Sequence, residues 1–223
     1  RVADIGAGSG ALTGPLLDLG AEVWAVEPSN MLDLAAWRFG TNARFHAVSG
    51  NALAPDIPNE VAKSISHVWV GQSLHWWRDD ADPVVAVWNQ VFRAPVTLAA
   101  ITYFIADDDP FANALDAVLA RELAGYSAHI AKIMQKNSPG FGDDYYRGHF
   151  EVPLCIEAED RRPITRETFA SMMGSFSFMP GPESALFAEA MRTVLPVFDA
   201  YAEDGVVVLN RTLKGWHGRL RGA

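Results

Sequence analysis

The residues best placed to do chemistry lie near the start of the chain. "VADIGAGSG" (2–10) puts Gly6, Gly8 and Gly10 on alternate positions straight after an apolar run, with Asp4 two residues before the first glycine. Glycine turns tightly and lets a ligand approach where a Cβ would collide. Between a strand and a helix, such a loop aims backbone N–H groups and the helix N-terminus at whatever binds. Glu27 ends the next strand, 17 residues beyond Gly10, and a carboxylate there accepts hydrogen bonds from both hydroxyls of a ribose. Gly6, Gly8 and Ala11 also satisfy the looser dinucleotide pattern, with alanine in its last slot.

These features fit a nicotinamide cofactor and also S-adenosylmethionine. Three further details separate the two. Asp4 can organise the loop or help hold the polar end of a ligand. "EPSNML" (27–32) gives a compact apolar and amide surface for an adenine, and "SGNAL" (49–53) offers Asn51 as a hydrogen-bonding partner for its edge. "GQSLHWW" (71–77) then follows a fourth strand. His75 is the candidate general base, histidine being the commonest group for that task; alternatively, His75 and Trp76 only wall the cofactor. Trp76, Trp77, Tyr103 and Tyr126 are the candidate substrate contacts, with ordinary packing as the competing role for the aromatic rings.

The elements that must hold these groups alternate. Strands are expected at 1–6, 22–27, 44–48, 65–72 and 96–104. A helix over 11–19 is closed by Gly20, and a second, capped by Ser29 or Asn30, carries Met31, Leu34, Ala35 and Trp37. Asp82 as N-cap with Pro83 at N1 starts a third, bearing Val84, Val87, Trp88, Val91 and Phe92. Near-continuous apolar strands alternating with helices imply an α/β fold, a doubly wound parallel sheet with its crevice at the carboxyl ends of the strands. The pattern breaks at Asp107–Pro110, an acidic helix start. Leu115, Leu119, Leu123, Tyr126, Ile130 and Ile133 follow at helical spacing. Next come a turn-rich loop (136–150) holding Tyr145, Tyr146 and His149, and a strand that Pro153 confines to an edge or a bulge. Thr165 caps a short helix with Phe169, Met172 and Met173. A longer helix runs from Glu183 to about Ala202 with Pro196 inside it, and 205–213 forms a last strand. The chain reads as a single domain over 1–223, with residues 107–164 a largely helical lid or substrate insertion after the fifth strand.

Taken in order and spacing, "VADIGAGSG", "VEPSNML", "GNAL" and "GQSLHWW" resemble the class I S-adenosylmethionine-dependent methyltransferases, in particular the small-molecule branch containing trans-aconitate and quinone-biosynthesis methyltransferases. The likeness is good over 1–105 and returns in "VVVLNRTLKGWHGR" (206–219), similar to the family's final strand. It implies a Rossmann-like methyltransferase fold, a seven-stranded sheet with the last strand antiparallel. It further implies Gly6, Ala7 and Gly8 against the methionine moiety, with Asp4 supporting the loop, and Glu27 on the ribose hydroxyls. Pro28 and Met31 would flank the adenine, Asn51, Ala52 and Leu53 would read its edge, and Gly71 and Gln72 would lie beside the methionine and sulfonium. Two departures stand out: Asn51 occupies a position that is more often aspartate, and "FRAPVTL" (92–98) replaces the family's Gly-Gly turn. The helices that usually precede the first strand and cover the active site are absent from this sequence.

Composition narrows the classes. The 223 residues carry a net charge of −9, with no block rich in Lys and Arg, so nucleic acid and anionic membranes are poor partners. No apolar run reaches the ~20 residues of a membrane helix. No signal peptide is visible, and the expected setting is reduced and cytoplasmic. Cys155, the one cysteine, is expected to be a buried small apolar residue, and no cluster has metal-ligand spacing. Arg161 and Arg162 either grip an acidic substrate or sit on a solvated turn. The expected activity is methyl transfer from S-adenosylmethionine to a small organic acceptor at oxygen or carbon. The alternative is a protein that keeps the pocket without methylating, as a binding module or cyclase scaffold. A nicotinamide-dependent reductase ranks third, there being no Tyr-x-x-x-Lys pair.

Overall fold

The computed structural model describes residues 1–73, 81–128, 130–131, 151, 154–176, 178–181 and 183–221. His75, Trp76, Trp77, His129, Ile133 and the 136–150 loop, with Tyr145, Tyr146 and His149, lie outside the described residues. The chain forms two compact units, one of residues 1–102, 136–156 and 214–223, the other of 103–135 and 157–213.

The first unit alternates strand and helix: β1 (Val2–Ile5), α1 (Thr13–Asp18), β2 (Val23–Glu27), α2 (Met31–Phe39), β3 (Phe45–Asn51), β4 (Ala54–Pro55), α3 (Asn59–Ala62), β5 (His67–Gly71), α4 (Ala81–Val91) and the start of β6 (Thr97–Ile105). β1 pairs in parallel with β2 and β5, β2 with β3, and β5 with β6. Then follow α5 (Pro110–Glu122), β7 (Leu154–Thr165), α6 (Arg166–Ser175), α7 (Ala185–Tyr201) and β8 (Val206–Arg219). The sheet order is β4-β3-β2-β1-β5-β6-β8-β7, a Rossmann-like methyltransferase arrangement. Among the described residues it has eight strands where seven were expected. The addition is two-residue β4, which folds back antiparallel on the end of β3.

Alternate side chains of each inner strand enter different cores, as a sheet covered on both faces requires. Ala3, Ile5, Val26, Val68 and Val70 pack with Val84, Trp88 and Phe92 on and just beyond α4. Val23 and Ala25 pack on the other face with Leu16 and Leu17 of α1 and Ala35 of α2. Burying each large side chain contributes about 1.5–3 kcal/mol. Trp88 is buried with its polar atom satisfied, its Nε1 donating to the Ala52 carbonyl at 2.9 Å.

The second unit has its own core, including Phe111, Phe169, Met173, Phe198 and Leu209. Phe169 stacks on Phe198 at 5.1 Å, and Phe111 meets both rings edge-on. Thr165 caps α6 as expected, accepting from Thr168 N; Asp109 likewise accepts from Ala112 N, and Ser184 from Phe187 N at the start of α7, two residues later than expected. Pro196 lies inside α7.

Several local expectations are corrected. α1 starts at Thr13, two residues later than expected, because Gly10 to Leu12 form turns. Asp82 lies in the first turn of α4, which already includes Ala81. On α2 Ala35 is buried, but Leu34 and Trp37 face solvent, Trp37 with 82% of its surface exposed. Arg161 and Arg162 belong to β7, not to a turn. Cys155 is exposed, on the strand that ends the sheet order among the described residues.

Candidate functional site

The loop after β1 has the backbone that its glycines allow. Gly6, Gly8 and Gly10 have φ of +73°, +55° and +85°, a region costly for residues with a Cβ. Their surroundings differ. A Cβ on Gly10 would come 2.5 Å from the Phe39 ring of α2, whereas one on Gly8 would meet no atom within 4 Å. Gly10 is therefore bare so that α2 can pack, and Gly8 is bare beside open space. The Gly6 and Ala7 amides donate to the Val26 carbonyl at 2.9 and 3.1 Å, and Gly10 N donates to the Ala7 carbonyl. These N–H groups fasten the loop to its neighbours and to itself instead of pointing at a ligand.

Two carboxylates flank the loop. Glu27 Oε2 accepts from Gly8 N at 3.0 Å, while Oε1 accepts from Ser29 N at 3.1 Å and Ser29 Oγ at 2.6 Å. The second strand's acid and the first strand's glycine, 19 residues apart, thus meet directly. Asp4 is fully buried. Its Oδ2 accepts from Thr13 Oγ1 at 2.6 Å, and its Oδ1 has no hydrogen-bond partner. Burial, which disfavours the charged form, raises the Asp4 pKa to about 6; the Glu27 charge adds to the rise and the Thr13 hydrogen bond opposes it.

The expected adenine residues gather at the ends of β2 and β3. Pro28 is exposed, and Met31 N donates to Ser29 Oγ at the start of α2. Asn51 Oδ1 accepts from Leu53 N at 2.9 Å and from Ala54 N at 3.0 Å, so the side-chain oxygen builds the β3–β4 turn. What Asn51 offers a ligand is therefore its amide N–H pair. Ala52 turns its side chain into the core, while Leu53 is 43% exposed.

Gly71 ends β5, and a Cβ there would come 3.1 Å from the Leu12 side chain. Gln72 has a φ of +55°, uncommon for a residue with a side chain and of the kind found at functional sites. Its N–H donates to the Ile101 carbonyl at 2.9 Å and its Oε1 accepts from Thr102 Oγ1 at 2.9 Å. Ser73 Oγ donates to the Ile5 carbonyl. In the second unit, Tyr103 lies under the Arg211 guanidinium at 4.4 Å, and Arg211 pairs with Asp160. Tyr126 is buried in that unit's core; its hydroxyl donates to Asp116 Oδ1 at 2.7 Å. Burial and that carboxylate push its pKa up.

The structure thus gathers Asp4, Gly6, Ala7, Gly8 and Glu27 at adjoining strand ends, with Gly71 and Gln72 closing β5 beside β1. Sequence reasoning passed over Thr13, Phe39, Ser73 and Thr102. Thr13 carried a faint signal, a hydroxyl at a helix start a few residues after a strand carboxylate.

Residues 3–100 match the family described as methyltransferase domain. No curated protein sequence matches the chain. Among solved structures, similarity extends to a protein from Anaeromyxobacter dehalogenans provisionally named a type II methyltransferase, at 22% identity and a TM-score of 0.57, covering 98% of this chain and 88% of that one. The YcgJ protein from Bacillus subtilis matches at 16% identity and a TM-score of 0.54, covering 100% and 92%. Phosphoethanolamine N-methyltransferase 2 from Haemonchus contortus, in complex with phosphomonomethylethanolamine and S-adenosylhomocysteine, matches at 14% identity and a TM-score of 0.53, covering 100% of this chain and 49% of that one. At such identities the likeness shows the fold.

Proposed function

We propose that this chain is a class I S-adenosylmethionine-dependent methyltransferase, a reading supported by the match of residues 3–100 to a methyltransferase-domain family, and that it methylates a small organic acceptor at oxygen or carbon. The observation that carries the reading is the meeting of Glu27 with Gly8 at 3.0 Å, beside the open space that faces the Gly8 Cα. A carboxylate at that point suits the two hydroxyls of a ribose, and the bare backbone leaves room for the rest of an adenosyl group.

The residues present fit S-adenosylmethionine. Two neighbouring carboxylates, one with a buried oxygen lacking a partner, favour a ligand that brings positive charge and hydrogen-bond donors. The loop argues against a dinucleotide, whose pyrophosphate needs outward N–H groups; Gly6 and Ala7 donate to Val26, and Gly8 to Glu27. Asn51, through its amide N–H pair, with Leu53, Pro28 and Met31, would hold the adenine. Gly6, Ala7, Gly8, Gly71 and Gln72 would hold the methionine end.

When bound, the cofactor supplies an electrophilic methyl group on a sulfonium. The chain's task is then alignment and exclusion of water. His75 would take the proton of a hydroxyl acceptor. Among the substrate candidates, Tyr126 lends its hydroxyl to Asp116 and is better read as core. Tyr103, beneath Arg211, remains with Trp76 and Trp77 as an acceptor contact. Acceptor choice is assigned to the 107–164 insertion and the "HWW" stretch. No described helix is long and apolar enough to cross a membrane. The net charge of −9 disfavours nucleic acid as the acceptor.

The test is turnover of methyl-labelled S-adenosylmethionine against a panel of small carboxylic acids, phenols and quinone precursors. Label is expected in one class of acceptor, and His75→Ala should abolish it where the acceptor is a hydroxyl. Cofactor binding without turnover on any acceptor would favour a binding module instead.

A further inference from the structure

The Glu27 carboxylate, which the reading above gives to the ribose, is largely filled by the chain's own donors. Oε2 accepts from Gly8 N at 3.0 Å, and Oε1 accepts from both Ser29 N at 3.1 Å and Ser29 Oγ at 2.6 Å. An ionised carboxylate offers about four lone-pair sites, two on each oxygen. Among the described residues, three donors take three of them, and Oε1 is complete. The site that is left lies on Oε2. A ribose diol brings a pair of O–H donors, so one of its hydroxyls finds no acceptor until an existing bond gives way.

The donors differ in how easily they yield. Gly8 N and Ser29 N are backbone groups, fixed by the glycine loop and by the chain entering α2. Ser29 Oγ belongs to an exposed residue and turns about a single side-chain torsion. Its other bond, accepted from Met31 N, is long at 3.3 Å and holds it weakly. Ser29 Oγ is also the same chemical group as the ligand's, an aliphatic hydroxyl donating to a carboxylate. We infer that Ser29 Oγ holds the place of one ribose hydroxyl on Glu27 Oε1, and that an adenosyl ligand binds by displacing it. The inference rests on the methyltransferase reading above and deepens it, because it makes Ser29 a residue that sets cofactor affinity. The exchange trades one O–H donor for another, so the bond that must break lowers the affinity for a ribose diol. A residue without the hydroxyl leaves Oε1 open and lifts that penalty.

Two nucleosides separate this from a general effect on the loop. Adenosine carries the diol, and 2′,3′-dideoxyadenosine keeps the base and the sugar ring without it. The quantity to read by calorimetry is the ratio of the two affinities, which loss of the Met31 N bond alone leaves unchanged. In Ser29→Ala that ratio should rise about three- to tenfold in favour of adenosine, the scale of one net hydrogen bond. Ser29→Thr, which keeps the hydroxyl, should show the wild-type ratio. In a crystal of the wild-type protein with S-adenosylhomocysteine, Ser29 Oγ should lie beyond hydrogen-bond distance of Glu27 Oε1. An unchanged or lower ratio in Ser29→Ala, or Ser29 Oγ still bonded to Oε1 in that complex, overturns the displacement. The methyltransferase reading is tested separately by the wild-type protein: if it binds neither S-adenosylhomocysteine nor adenosine, that reading falls and this inference with it.

Discussion

Among the described residues, the two units differ in how completely they satisfy buried polar side chains: the two atoms left without a partner, Asp4 Oδ1 and Trp24 Nε1, both lie in the first. In the second, polar groups pair with one another: Tyr126 with Asp116, Asp109 with both nitrogens of Asn210, and Arg211 with Asp160. In the first, Asp4 is fully buried with one carboxyl oxygen unpartnered, and open space lies at Gly8. Burying a carboxylate without full satisfaction is costly, and an arrangement that keeps such a cost commonly serves a site. The comparison teaches where binding belongs. At Asp4, beside the glycine loop, the first unit holds an unmet demand for a donor or positive charge, and the second spends the polar groups named above on its own stability.

The largest effect is expected at the glycines. Gly10→Ala adds left-handed strain and drives a Cβ into Phe39, for a loss of about 3 kcal/mol in chemical denaturation. Gly8→Ala carries the strain alone, about 1 kcal/mol, but should abolish S-adenosylhomocysteine binding in the folded protein. Equal stability losses at the two positions would erase the distinction between packing glycine and ligand glycine.

Asp4 comes next. Its folded pKa of about 6 lies above the unfolded carboxylate value of 3.8, so the folded state favours the protonated form. Stability from this group is full below the unfolded value, falls as pH rises through the window up to about 6, and is flat beyond. Asp4→Asn should therefore be about 2 kcal/mol more stable than wild type at pH 8, with the gap closing near pH 4, and should bind cofactor more weakly. A variant no more stable at pH 8 would mean that the carboxylate is satisfied after all. The smallest effect is expected in the second unit: Tyr126→Phe should lose about 1 kcal/mol of stability, the worth of one hydrogen bond, and leave turnover unchanged. A collapse of turnover would return Tyr126 to the acceptor site.

Much of the first unit was legible because its signals are local. Glycines on alternate positions after an apolar run, and an acid at the next strand's end, survive in any context that forms those strands. What escaped depends on contacts distant in sequence. Nothing near Gly6 says that its N–H will meet Val26, and nothing near Asn51 says that its side-chain oxygen will close the β3–β4 turn. Tyr126 has the polar tip of a pocket residue, and only the fold brings Asp116 against it. Arg161 and Arg162 read as a turn because an edge strand with both faces wet lacks the apolar alternation that marks a strand. Cys155 misled for the same reason, since burial habit says little on a sheet edge.

The central claim is that an adenosyl sulfonium lies on the glycine loop with its ribose on Glu27. A crystal structure with S-adenosylhomocysteine tests it most directly. The ligand should pass over the bare Gly8 Cα, with both ribose hydroxyls within hydrogen-bond reach of the Glu27 carboxylate. A ligand bound elsewhere, or one at the loop with its ribose turned away from Glu27, would contradict the account.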